Sequence, residues 1–269
     1  MRFRITLTLI TIAFGVWWPM SHSIVDHFVY YPMRYPNGEW DLQSAAGAQD
    51  RWLRAADGTR LHSWWFPKAN ARFATLFLHG NAGNVTHRID HAQAVLLAGS
   101  AFLVLDYRGY GKSDGRPSER GLSQDADSAY AELERLGYEP NQIVLQGESL
   151  GTAVAVDLAT RKRCAGIVLE SPLTSLSAMA GAVLPVLGPL LAHGFDTRNR
   201  IARVHAPLLV IHGDADEIIP FSQGQAVFRA ANEPKSFWRV AGAHHNDLLP
   251  TAGPEYAERL RRFYDGIAR

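Results

Sequence analysis

Between residues 74 and 211 the chain repeats one pattern, a short and almost continuous apolar run followed by a longer stretch with helical spacing. The apolar runs are 74–78, 101–105, 142–145, 166–169 and 207–211. Runs of four to six residues with no polar alternation are what strands need when both faces of their sheet are covered. The stretches between them include 86–98 closed by Gly99, 123–136 closed by Gly137, and 150–160. Each is long enough to carry the chain back to the start of a parallel neighbour, and a glycine just past a helical stretch suits its left-handed terminus. The expectation is an α/β fold with a mostly parallel central sheet and helices on both faces. Ahead of it, 51–54 and 61–66 flank Asp57-Gly58, which reads as an antiparallel edge hairpin. Residues 30–38 carry turn chemistry without periodicity, as in a tether wrapping onto a domain, and regular structure is expected from about residue 50.

Open α/β sheets gather function beyond the carboxyl ends of their strands. The polar clusters fall there: His79-Gly80-Asn81, Asp106-Tyr107-Arg108-Gly109, Gly147-Glu148-Ser149, Glu170-Ser171-Pro172 and His212-Gly213-Asp214-Ala215-Asp216 each follow one apolar run. Gly147-Glu148-Ser149-Leu150-Gly151 is a G-x-S-x-G, which chance alone supplies in roughly one chain in ten of this length. Its setting makes it specific, because it joins the run Ile143-Val144-Leu145 to a stretch with Val154 and Leu158 on one helical face. A serine on such a strand-to-helix turn is thrust into solvent at a helix N-terminus, where developing negative charge is favoured. Ser149 is therefore the candidate nucleophile.

A serine hydroxyl needs a base, and imidazole has the suitable pKa. Among eleven histidines, His244 and His245 lie after the expected last strand, 236–240, and before a closing helix from Pro254. Residue spacing alone leaves that adjacent pair open. A carboxylate must hold the imidazole, and the order Ser, Asp, His directs attention to Asp214 and Asp216 after the 208–211 run, with Glu170 a more distant candidate. Asp216, at the fourth position of Gly-x-x-Asp, is the choice, Asp214 being read as a loop cap. For the oxyanion, the backbone N–H of Leu150 supplies one donor, and the loop 79–84 offers a second, assigned to Asn81. That loop lacks the Lys-Ser/Thr of a phosphate-binding loop and Rossmann spacing. No cofactor and no metal is expected. The balance of 27 Lys and Arg against 26 Asp and Glu gives no field that would select nucleic acid. Cys164, the single cysteine, reads as a quiet structural thiol.

The N-terminus stands apart. Arg2 and Arg4 precede the uncharged stretch 5–20, which ends near Trp17 and Trp18. Sixteen helical residues reach about 24 Å, short of a ~30 Å hydrocarbon core unless the helix runs on to Ile24 and Val25. Residues 1–27 are read as a membrane anchor, or as a signal segment cleaved near Ser21-His22-Ser23. With the arginines on the cytoplasmic side, the catalytic domain, 28–269, is expected to be periplasmic or extracytoplasmic.

With these residues in place, the chain resembles the membrane-anchored serine hydrolase branch of the α/β-hydrolase superfamily, the serine aminopeptidase-like and depalmitoylase-like proteins. The resemblance is carried by residues 77–84, Asp106-Tyr107-Arg108-Gly109-Tyr110-Gly111-Lys112-Ser113, the serine pentapeptide, His212-Gly213-Asp214-Ala215-Asp216 and Ala243-His244-His245-Asn246. It implies an α/β-hydrolase fold and cofactor-free hydrolysis of esters, thioesters or amides, with Ser149, Asp216 and His245 as the triad. His244 departs from the glycine such proteins often carry there. Residues 173–197, rich in Ala, Leu, Pro and Gly, fall where the superfamily places a cap, and suggest a short apolar cap over a lipidic or acyl substrate.

Overall fold

The computed structural model describes residues 29–183 and 194–268. The candidate anchor, and Leu184, Leu187 and Leu190 of the expected cap, lie outside the described residues. Among those described, no helix is long and apolar enough to cross a membrane.

The strands are β1 (Tyr31–Pro32), β2 (Gln49–Arg54), β3 (Arg60–Phe66), β4 (Phe73–Leu78), β5 (Ala82–Gly83), β6 (Ser100–Asp106), β7 (Ile143–Glu148), β8 (Gly166–Glu170), β9 (Leu208–Gly213) and β10 (Lys235–Val240). Eight form one sheet in the order β10-β9-β8-β7-β4-β6-β3-β2. The hairpin β2–β3 and the β3–β6 pair are antiparallel, and every other pair in this sheet is parallel. The all-apolar runs resolve into two faces by the two-residue strand period. On β4, Ala74, Leu76 and Leu78 enter one buried cluster, while Phe73 and Phe77 enter the other. The same split holds for Leu103 against Val104, Leu145 against Val144, and Val210 against Ile211. Each fully buried side chain of this size contributes about 1.5–3 kcal/mol of transfer free energy. Helices Glu119–Arg135, Leu150–Ala159 and Phe221–Ala230 cover the first face; Ile89–Ala98 and Pro254–Ile267 cover the second.

Two helix starts differ from expectation, for local reasons. The stretch expected from residue 123 begins at Glu119, capped by the Ser118 side chain accepting from Gly121 N–H. Gly121 weakens the helical signal in the sequence, and the space it leaves is filled by Arg108, whose Cδ would stand 2.4 Å from an added Cβ. The stretch expected from residue 86 opens as a 3₁₀ turn, Val85–Arg88, with Asn84 as its cap, before the α-helix Ile89–Ala98. Gly99 closes that helix at φ +106°, as its position suggested.

Regular structure also starts earlier than residue 50. Tyr31 and Pro32 pair with Ala82 and Gly83 in a small parallel sheet. Met33 N–H donates to Gly83 O at 3.2 Å, and Tyr35 N–H to Gly111 O at 2.9 Å. Two-residue strands leave no periodic trace, so this strap is invisible in the sequence.

Candidate active site

In chain order the sheet grows from β4 to β6 on one side and then to β7 on the other. That reversal opens a crevice at the carboxyl ends of β4 and β7, where Leu78 and Gly147 are in register. Ser149 stands at this point between β7 and the helix Leu150–Ala159, with φ +51° and ψ −118°. Such backbone costs about 1–3 kcal/mol and persists only where neighbours hold it. Here Ser149 N–H donates to Glu170 O (2.9 Å), and Ser149 O accepts from Thr152 N–H (3.0 Å) and Thr152 Oγ1 (2.6 Å). The glycine at 151 is needed for close approach, since a Cβ there would lie 1.8 Å from Leu78 O.

Residues far apart in sequence converge on this serine. Ser149 Oγ is 3.1 Å from His245 Nε2, and His245 Nδ1 is 2.8 Å from Asp216 Oδ2. The loops after β9 and β10 are stitched together by Asp214 N–H to Val240 O (3.2 Å) and Ala215 N–H to Ala243 O (3.1 Å). Gly213 permits that contact, because a Cβ would sit 2.2 Å from Ala243 O. Asp216 Oδ1 accepts from the N–H groups of Ile218 (3.0 Å) and Ile219 (2.7 Å). Burial pushes the Asp216 pKa up, but hydrogen bonds from His212 and His245, the His245 charge and the Ile219 N–H outweigh it and hold the carboxyl far below the usual carboxylate range.

The alternatives are occupied elsewhere. His244 is exposed and pairs with Glu217 (Nδ1 to Oε2, 3.0 Å). Asp214 binds Arg239 and accepts from Gly242 N–H (2.7 Å), the loop-capping role. Glu170 accepts from Gln146 Nε2 and Tyr256 Oη, each at 2.7 Å, and faces His91 at 3.2 Å.

Leu150 follows the serine at the helix N-terminus, and Asn81 lies in the loop after β4. That loop is clamped through its carbonyls. Asn81 O accepts from Tyr31 N–H (2.9 Å) and Tyr110 Oη (2.8 Å), His79 O accepts from Tyr107 Oη (3.2 Å), and Asn81 Nδ2 donates to Val29 O (3.0 Å). Asp106 extends the clamp, with Oδ1 accepting from Val85 N–H (2.9 Å) and Oδ2 meeting His62 Nδ1 (3.1 Å). The motif Asp106-Tyr107-Arg108-Gly109-Tyr110 is thus scaffolding for the loop. Burial, then the Arg88 charge, push the His79 pKa down to about 4, so its ring is neutral at pH 7.

One polar pair had no signal in the sequence. Glu148, the variable residue before the serine, meets Arg88 Nε at 2.7 Å. A G-x-S-x-G pattern says nothing about that side chain, and Arg88 reads as helix surface until the 3₁₀ turn aims it.

A parallel sheet reversing at an elbow serine, with histidine and aspartate delivered by later loops, defines the class: an α/β-hydrolase. The family model described as serine aminopeptidase, S33, matches residues 69–197. The chain is 41% identical to the uncharacterized protein Rv2307c of Mycobacterium tuberculosis over 87% of this chain and 85% of that protein. It is 37% identical to alpha/beta hydrolase domain-containing protein 17B of Xenopus tropicalis, over 72% of this chain and 67% of that one. Among solved structures, the Pyrococcus furiosus esterase Pf2001 superposes with a TM-score of 0.73 at 20% identity, covering 88% of this chain and 98% of the esterase. The chain belongs to the α/β-hydrolase superfamily, and it is a hydrolase of that family.

Proposed function

We propose that the protein is a serine hydrolase that cleaves a carboxylic ester or thioester through an acyl-enzyme. The observation that carries this reading is the continuous contact from Ser149 Oγ through His245 to Asp216, at 3.1 and 2.8 Å, with the serine on a strained elbow. In the first half-reaction Ser149 Oγ attacks the carbonyl carbon while His245 Nε2 takes its proton. The N–H groups of Leu150 and Asn81 hold the oxyanion. The tetrahedral adduct collapses as His245 returns the proton to the departing oxygen or sulfur. Water, deprotonated by the same imidazole, then attacks the acyl-serine, releasing the carboxylic acid and restoring Ser149. Asp216 keeps Nδ1 protonated and stabilises the imidazolium.

An amidase of aminopeptidase type is the second reading, favoured by the description of the matching family model. One panel separates the two: p-nitrophenyl esters of increasing chain length, an acyl thioester and an aminoacyl amide, with wild type and Ser149→Ala. Turnover of esters or thioesters that disappears in Ser149→Ala supports the first reading. Turnover of the amide alone supports the second, and turnover that survives the substitution contradicts both. The uncharged stretch 5–20 supports an anchor that would present this site near a membrane, with a lipidic acyl group as substrate.

The strap gives a separate expectation. Tyr31→Pro removes the N–H that holds Asn81 O while keeping extended backbone. The variant should lose roughly 10-fold or more in kcat, below the 10²–10³-fold typical of deleting an oxyanion donor, with little change in KM. Steady-state kinetics beside a thermal melt checks this; unchanged kcat in a folded variant would contradict the clamp.

A further inference from the structure

A cavity of about 460 Å³ opens beside the imidazole, walled among others by Met33, Arg88, His91, Glu148, Ser171 and His245. We propose that it is a leaving-group subsite for a polar leaving group, one bearing hydroxyl or amide groups within a few atoms of the departing oxygen or sulfur. The proposal rests on the nucleophilic reading above and adds the chemistry of one half of the substrate.

The location follows from the proton's path. The departing atom takes its proton from His245, so it leaves on that ring's side, and a cavity walled by His245 receives what is attached to it. The chemistry follows from the walls. Two polar contacts line the cavity, Arg88 Nε at 2.7 Å from Glu148 Oε2 and His91 Nε2 at 3.2 Å from Glu170 Oε2, and the exposed Asp90 joins them in the wall. Burial raises the Glu148 pKa, but the charges of Arg88 and His91 outweigh it and bring the group down to about 2, so the carboxylate stays ionised.

Hydrogen-bonding capacity nevertheless remains unused. Only Oε2 of Glu148 is engaged, with Arg88 and more weakly with Gly80 N–H at 3.4 Å; Oε1 has no partner among the described residues. Ser171 is 3% exposed, and its hydroxyl has no hydrogen-bond partner among the described residues. A buried hydroxyl left unpaired costs about 1–3 kcal/mol, a penalty that a ligand with its own donors removes and a hydrocarbon does not. Ser171 also holds φ +46°, directly after Glu170, whose carbonyl anchors Ser149. The unpaired group therefore sits on the same strand end that fixes the nucleophile.

The test holds the acyl group constant and varies the leaving group. A glycerol ester and an N-acetylcysteamine thioester are compared with alkyl esters and thioesters of equal heavy-atom count, and with a choline ester. Wild-type kcat/KM should favour the hydroxyl- and amide-bearing substrates over their alkyl counterparts by about 10-fold or more, and Ser171→Ala and Glu148→Gln should each narrow that ratio by roughly 3–10-fold, the value of one hydrogen bond. Equal rates, an alkyl preference, a ratio unchanged in both variants, or a choline ester ahead of the glycerol ester would overturn the proposal. Absence of Ser149-dependent turnover across the whole series would overturn the nucleophile reading, and this proposal with it.

Discussion

Replacing His245 with alanine is expected to lower kcat by about 10⁴–10⁶-fold, while His244→Ala stays within a few-fold of wild type. The two rings are neighbours in sequence but differ in every physical respect that matters. His245 reaches Ser149 through Nε2 and Asp216 through Nδ1, and its side chain is 10% exposed. His244 is 57% exposed and turned toward Glu217, whose hydrogen bond raises its pKa. A solvated ring held by Glu217 and not by the serine cannot take the serine proton. The measurement is kcat on one activated ester for both variants, with thermal melts to establish folding. A large loss in His244→Ala with His245→Ala near wild type would reverse the assignment.

Asp216→Asn is expected to cost about 10⁴-fold in kcat, through the tautomer of His245. Oδ1 of Asp216 accepts two backbone N–H groups, from Ile218 and Ile219. In the asparagine variant that position must be taken by the amide oxygen, because the NH₂ group would face two donors. The NH₂ then points at His245 Nδ1, makes it an acceptor, and drives the ring proton to Nε2, where it blocks proton removal from Ser149. Asp214→Asn should instead leave kcat near wild type, since that carboxylate only ties Arg239 and Gly242 N–H on the surface. Full activity in Asp216→Asn would contradict this account of the imidazole.

How much of this the sequence disclosed depends on the range of the forces involved. The parallel strands were legible because two-sided burial leaves continuous apolar runs, and the hairpin because Asp57-Gly58 marks its turn. The placement of Ser149 was legible because an elbow needs glycines at 147 and 151, where Cβ atoms would meet backbone at 2.5 and 1.8 Å. The strap at 31–35 was not, since its bonds run to residues 81–111 through main-chain groups that carry no residue signature. The tyrosines of Asp106-Tyr107-Arg108-Gly109-Tyr110 were noticed as part of a motif, but their hydroxyls act on carbonyls of the loop after β4. Residue spacing left His244 and His245 tied; the family resemblance chose His245, and the contact of His244 with Glu217 had no trace in the sequence. Glu148 and Ser171 stand at positions whose neighbours are set by tertiary packing alone, so the polar cavity had no one-dimensional trace.

The central claim is that one hydroxyl, at residue 149, becomes covalently bonded during turnover. Treatment with a fluorophosphonate, followed by intact mass and peptide mapping, tests it most directly. The expected result is a single adduct on the peptide carrying Ser149, absent from Ser149→Ala and strongly slowed in His245→Ala. An adduct on another residue, or an adduct that forms equally well in Ser149→Ala, would contradict it.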